Sequence, residues 1–209
     1  MTPRALDAGK GHRIDLNKAA SIIRSGGVVA FPTESFYGLG VSAWDEKAIQ
    51  RLFTIKKREE NQPILLLIPS TSLLNQYVIR IPDIATQMME KFWPGGLTLI
   101  FEANPDLPRL LTSGTGKIGL RLSSHPVATA LTRAVGAPIT GTSANIAGQA
   151  ECSSAEAVRH SLGGSVDFVL DGGETGGKKG STVMDITVDP PMILREGMVT
   201  REQLEAYIK

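Results

Sequence analysis

Cysteine is nearly absent from the 209 residues. Cys152 stands alone, which excludes an internal disulfide and fits a reducing compartment, while a catalytic thiol would need a base and electropositive surroundings. Histidine is equally scarce. His12, His125 and His160 are too scattered for a metal cage or a Ser-His-Asp arrangement, so no metal site built from protein side chains is expected. Long apolar runs are missing too. The longest strongly apolar stretch, 64–69, has the length of a strand and falls far short of the roughly 20 residues that cross a bilayer. Residues 1–12 carry charge and glycine where an export signal needs an apolar stretch, which makes the cytoplasm the expected compartment. Charge of one sign is not in excess: 22 Lys and Arg balance 21 Asp and Glu, for a net charge of +1. A nucleic-acid coat is thereby excluded, and any RNA contact has to come from a local patch. No repeat and no linker-like stretch divides the chain, so one domain is expected over 1–209.

What is present is an alternation of helical and strand patterns. Asp15 reads as the cap of a helix with Leu16, Ala19, Ala20 and Ile23 at helical spacing, stopped by Gly26-Gly27. The strand 28–31 follows. Asp45 reads as a second cap, Ala48, Ile49, Leu52 and Phe53 form a core-facing stripe, and the basic run Lys56-Lys57-Arg58 is its exit. Residues 64–68, 97–101 and 118–122 read as buried strands, separated by helices over 82–93 and 125–135, the latter closed by Gly136. Segments 166–170, 181–187 and 192–194 read as three late strands without helices between them, a linkage that favours antiparallel pairing. The expected class is α/β with a mixed sheet.

Four polar clusters attract chemistry, each beside an ordinary structural alternative. The stretch from Pro32 to Gly40, Pro-Thr-Glu-Ser-Phe-Tyr-Gly-Leu-Gly, leaves a buried strand with hydroxyls, a carboxylate and two glycines, which suits a ligand loop or a plain strand-to-helix connection. Lys56, Arg58 and Gln62 suit phosphate or a solvated charge run. Lys117 and Arg121 share one face of a strand and suit an anion or surface ion pairs. Thr142-Ser143-Ala144-Asn145 suits substrate contact or turn capping. Residues 172–178, Gly-Gly-Glu-Thr-Gly-Gly-Lys, nearly spell a P-loop. Lys179 occupies the Ser/Thr position, however, and Ser-Thr-Val-Met continues as a strand, so a glycine-rich loop is the reading.

Taken in order, these elements with Lys-Ile-Gly-Leu-Arg, His125-Pro126, Ser-Thr-Val and Arg-Glu-Gly resemble the YrdC-like threonylcarbamoyl-AMP synthase family over about 14–197, in its short single-domain form. The resemblance implies a twisted, mixed parallel and antiparallel open sheet with flanking helices and a concave cavity. Carried over by motif, Ser35, Leu67, Arg121 and Gly141 stand at the threonine subsite. Arg58, Gln62, Lys117, Ser143, Asn145, Ser181 and Arg195 stand at the ATP subsite, and Lys56, Arg58 and Arg121 carry the catalytic charge. Thr182 borders the nucleotide. The chain departs from the family pattern at Ser35 (usually Thr), Glu59 (often Pro), Leu67 (often His) and Gly141 (often a small hydroxyl residue).

The implied reaction joins L-threonine, bicarbonate or CO2 and ATP, with Mg2+ on the phosphates, into threonylcarbamoyl-AMP and pyrophosphate. The adenylate then passes to a separate transferase complex that modifies tRNA. No covalent intermediate is needed, which accords with a site rich in cations and poor in bases. Two other readings stay open on the same residues: a module binding double-stranded RNA or tRNA, and a paralogue that binds nucleotide without threonine-dependent synthesis.

Overall fold

The computed structural model describes residues 15–59 and 62–208, together with the backbone of 7–8 and 12–13. The side chains of 1–12, where an export signal was sought, lie outside the described residues. Short strands β1 (Asp7–Ala8) and β2 (His12–Arg13) pair antiparallel. Helix α1 (Leu16–Arg24) begins where the Asp15 carboxylate accepts from the Lys18 N–H at 2.9 Å, and it buries Ala19, Ala20 and Ile23. Strands β3 (Val29–Pro32) and β4 (Tyr37–Gly40) follow, then α2 (Glu46–Lys56), capped by Asp45. On α2 the buried stripe Ile49, Leu52, Phe53 continues at the next helical step onto Lys56, which is why this lysine points inward. Lys57 then takes a left-handed conformation, φ 49°, and ends the helix.

The chain continues through β5 (Leu66–Leu67), α3 (Asp83–Phe92), β6 (Leu97–Glu102), α4 (Arg109–Thr112), β7 (Lys117–Arg121) and α5 (Pro126–Val135). It closes with β8 (Ile139–Thr140), β9 (Thr142–Ser143), α6 (Ala155–Leu162), β10 (Phe168–Val169), β11 (Thr182–Asp185), β12 (Met192–Arg195) and α7 (Arg201–Leu204). Among the described residues no helix is long and apolar enough to cross a membrane.

Two mixed sheets result, in the orders β10-β3-β4-β9 and β12-β11-β6-β7-β5-β8. Two expectations change. The polar stretch after β3 turns back at once as a β3–β4 hairpin, Pro32 opposite Tyr37, instead of leading to a helix. Of the late strands only β11 and β12 pair antiparallel; β10 joins β3 and β11 joins β6 in parallel, because the glycine-rich loop between them carries the chain from one sheet to the other. Residues 64–68 are apolar and strand-like, but only Leu66 and Leu67 enter the ladder.

The larger core takes Leu97, Leu99, Phe101, Ile118 and Leu120 from one face of β6 and β7, with the buried stripes of α2 and α3. Each such side chain contributes about 1.5–3 kcal/mol on burial. A smaller core packs α1 and α5 on Val29, Phe31, Leu67 and Ile139.

Candidate functional site

Alternation along the strands makes the floor of a cavity of about 270 Å³. While Leu97, Leu99, Ile118 and Leu120 point into the core, Thr98 and Ile100 of β6 and Gly119 and Arg121 of β7 line the opposite face. Ser181 and Val183 extend this floor, the hairpin tip with Thr33 and Ser35 forms one wall, and Ser143 stands beside it. Arg58 and Arg195 also line it. A Cβ on Gly119 would lie 3.2 Å from Thr98 Cγ2 and 3.3 Å from Leu65 Cβ, so glycine keeps the floor open.

The electrostatics are set by three guanidinium groups. Arg58 is half-buried and donates to the carbonyls of Gln62 (3.3 Å) and Pro63 (2.8 Å); burial pushes its pKa down, and nearby Arg195 adds to the shift. Arg195 is exposed and anchors itself on the Ser181 carbonyl at 2.9 Å. Arg121 is buried; desolvation depresses its pKa, opposed by Glu34, whose Oε1 lies 3.2 Å from Nη1. Among the described residues the Nε of Arg121 has no hydrogen-bond partner. Such an arrangement holds an anion at the buried end and a larger polyanion toward the rim.

The glycine-rich segment 172–180 crosses the hairpin tip. Gly177 N donates to the Ser35 carbonyl at 2.7 Å, Thr175 N to the Ser153 carbonyl at 2.9 Å, and Tyr37 Oη to the Gly173 carbonyl at 2.8 Å. Burial pushes the Tyr37 phenol up to about 12, so it remains a donor. Strand β11, not a helix, follows this segment, in agreement with refusal of the P-loop.

The profile of the Sua5/YciO/YrdC family, described as telomere recombination, matches residues 21–197. The chain belongs to this family. The threonylcarbamoyl-AMP synthase of Bacillus subtilis (strain 168) is 40% identical over 192 residues, which are 91% of this chain and 56% of that protein. The crystal structure of P. abyssi Sua5 complexed with L-threonine superposes with a TM-score of 0.90 at 38% identity, covering 92% of this chain and 57% of that one. The crystal structure of E. coli YciO gives 0.80 at 34% identity, covering 88% and 89%. The chain thus spans little more than half the length of the first two relatives and most of YciO. Mixed open sheets with flanking helices are the fold shared with these structures.

Of the residues that the Sua5/YciO/YrdC motifs select, Ser35, Arg58, Arg121, Gly141, Ser143, Ser181 and Arg195 line the cavity. Six others stand elsewhere. Lys56 lies behind the wall and donates to the carbonyls of Ser143 (2.5 Å) and Asn145 (2.9 Å) and to Asn145 Oδ1 (3.3 Å). Burial, with a smaller contribution from Arg58, pushes the Lys56 ammonium down to about 8. Asn145 is buried, accepts from Ser143 Oγ at 2.6 Å and donates to the Gln149 carbonyl at 2.6 Å. These two residues hold the Ser143 loop in place. Gln62 is outside the lining and offers its carbonyl to Arg58; Lys117 pairs with Asp185 at 2.9 Å. Leu67 packs in the smaller core, and its neighbour Leu65 lines the cavity. Thr182 binds the 197–199 turn, accepting from Gly197 N and Val199 N.

Leu67 and Gly141 are one packing fact. A Cβ at 141 would stand 2.7 Å from Leu65 Cδ1 and 2.9 Å from Leu67 Cγ, so these leucines demand glycine opposite them. Sequence reasoning passed over Glu34 as an individual residue, although it stands within the highlighted hairpin stretch. Cys152 is buried and its thiol is pushed up by burial, the state of an inert side chain. Among the described residues no group of three or more His, Cys, Asp or Glu is placed to hold a metal ion.

Proposed function

We propose that the chain is an L-threonylcarbamoyladenylate synthase. The carrying observation is the convergence of Arg58, Arg121 and Arg195 on one cavity, with Arg121 buried and its Nε unpaired. In this reading Arg121 takes the threonine carboxylate, with Ser35 and Thr33 beside the amino acid. Arg58, Arg195, Ser143 and Ser181 face ATP, and Lys56 and Asn145 act by holding Ser143. The relative named as a synthase and the one bound to L-threonine support the assignment.

Threonine's neutral amine adds to CO2 with release of its proton to solvent, or to bicarbonate with loss of water, and a carbamate oxygen then attacks the α-phosphorus of ATP. Pyrophosphate leaves with the P–O electron pair. The protein's part is to hold two anions together and neutralise charge as it moves from carbamate to pyrophosphate. Mg2+ bound with the nucleotide would neutralise phosphate charge; the lining consists largely of cations, hydroxyls and apolar groups, with Glu151 as a carboxylate, so the metal would rely mainly on phosphate oxygens. The product feeds tRNA threonylcarbamoylation by a downstream transferase complex in the cytoplasm.

The deciding experiment incubates purified protein with ATP, Mg2+, bicarbonate and L-threonine, following pyrophosphate and, by mass spectrometry, the adenylate. Threonine-dependent product supports the reading. ATP binding without product refutes it and moves the chain to the nucleotide-binding paralogue.

A further inference from the structure

Glu34 is tied to the site in a way the motif assignments leave unused. It sits at the tip of the β3–β4 hairpin in the four-stranded sheet, whereas Arg121 ends β7 in the six-stranded sheet, so their ion pair spans the two sheets. The two side chains are 9% and 4% exposed, with Oε1 3.2 Å from Nη1. The carboxylate is held from behind. Its Oε2 accepts from Ser123 Oγ at 2.5 Å, and Ser123 Oγ in turn accepts from the His125 N–H at 3.1 Å. The hairpin tip is itself braced by Thr33 Oγ1, which accepts from Ser35 N (3.3 Å) and donates to the Phe36 carbonyl (2.7 Å).

Yet the ion pair is unfinished. Glu34 Oε1 makes no hydrogen bond among the described residues, and neither does Arg121 Nε. The contact supplies charge without hydrogen-bond geometry. It offsets a buried cation that would otherwise be costly, and it leaves the guanidinium fork unsaturated. A guanidinium binds a carboxylate through the N–H edge that lies in its own plane, so whatever sets that plane sets affinity.

We infer that Glu34 is a positioning residue: it orients the Arg121 guanidinium toward the carboxylate of an amino-acid substrate, and Ser123 in turn orients Glu34. The inference rests on the amino-acid subsite proposed above. Glu34 acts through Arg121 and leaves the nucleotide end of the cavity untouched.

The test measures L-threonine and ATP binding calorimetrically, with steady-state kinetics, on wild type, E34Q and S123A, with folding checked by thermal melts. Loss of one charge-assisted hydrogen bond to the carboxylate corresponds to about a tenfold weakening. E34Q is therefore expected to raise the threonine Kd and KM about tenfold, while ATP affinity and kcat at saturating threonine stay within about threefold. S123A, which leaves the Glu34 and Arg121 charges in place, should shift threonine binding in the same direction by a few-fold. Folded E34Q with wild-type threonine affinity, or with ATP and threonine weakened alike, overturns the inference. If E34Q does not fold, S123A decides: a threonine-selective loss supports positioning, and unchanged threonine binding overturns it. A wild-type protein that binds no threonine sinks the amino-acid reading and the inference with it, a result distinct from wild-type binding with indifferent variants.

Discussion

Replacing Lys56 with methionine should shift stability against the variant, relative to the wild type, between pH 7 and pH 9. The ammonium donates to three oxygens, the carbonyls of Ser143 and Asn145 and the Asn145 side chain, and the lysine is 2% exposed. Removing it leaves the Asn145 carbonyl unpaired at about 1–3 kcal/mol, whereas the Ser143 carbonyl keeps the Asn145 N–H and Asn145 Oδ1 keeps Ser143 Oγ. Against this, burial lowers the Lys56 pKa from 10.5 to about 8, so keeping the folded-state ammonium charged costs about 3 kcal/mol, which the variant no longer bears. At pH 7 the two effects nearly offset, and the variant should lie within about 2 kcal/mol of the wild type. The sign of the pH dependence follows from proton counts. Above the folded pKa the native state has released the proton while the unfolded state still binds it, so the wild type gains stability as pH rises through that window. Between pH 7 and pH 9 the gain is about 1 kcal/mol, and the methionine variant lacks it. Urea unfolding of both proteins at the two pH values measures the difference directly. A wild type that gains no stability relative to the variant between pH 7 and pH 9 would refute the buried, charge-strained clamp.

The remaining expectations concern the cavity and its supports. Arg58→Ala should lower adenylate formation about 100-fold, with melting close to wild type, because this half-exposed side chain leaves no buried partner behind; near-normal turnover would remove Arg58 from the site. Arg121→Ala should lose both activity and about 3–5 kcal/mol of stability, since Glu34 is left buried and unpaired. A urea melt showing no destabilisation would mean that Glu34 finds solvent. Gly141→Ala should cost about 1–3 kcal/mol through collision with Leu65 and Leu67, and Leu67→Val in the same chain should recover part of it. Strict additivity in that double-mutant cycle would disprove the matched packing. Cys152→Ala should leave adenylate formation unchanged, and the wild-type thiol should react with a chromogenic reagent far more slowly folded than in urea; rapid labelling of native protein would contradict its burial.

Much of the site was legible because the residues carrying charge and hydroxyls cluster along the chain. Arg58, Arg121, Ser143, Ser181 and Arg195 all line the cavity as the motifs imply. The sorting within each cluster was less visible. In Lys56-Lys57-Arg58, one residue goes inward under the Ser143 loop, one turns the helix end and one faces the cavity. Helical spacing from Ile49 through Leu52 and Phe53 to Lys56 contained that answer, but a charged residue on an apolar stripe is easily read as the helix's exit.

By itself the sequence determined what depends on neighbours within a turn of helix or a step of strand. The caps at Asp15 and Asp45, the left-handed stop at Gly136, the buried stripe of α2 and the inward-outward alternation that puts Gly119 and Arg121 on one face all follow from local sterics and hydrogen bonding. Only the tertiary structure decided which strands became partners, since the ladder groups of β10 and β11 are alike and the free energy of choosing β3 or β6 lies in distant surfaces. The same holds for the meeting of Glu34 with Arg121, of Lys56 with Asn145 and of Gly141 with Leu67. Each joins residues far apart in the chain, and each depends on burial, which lowers the local dielectric and removes the room for any other arrangement.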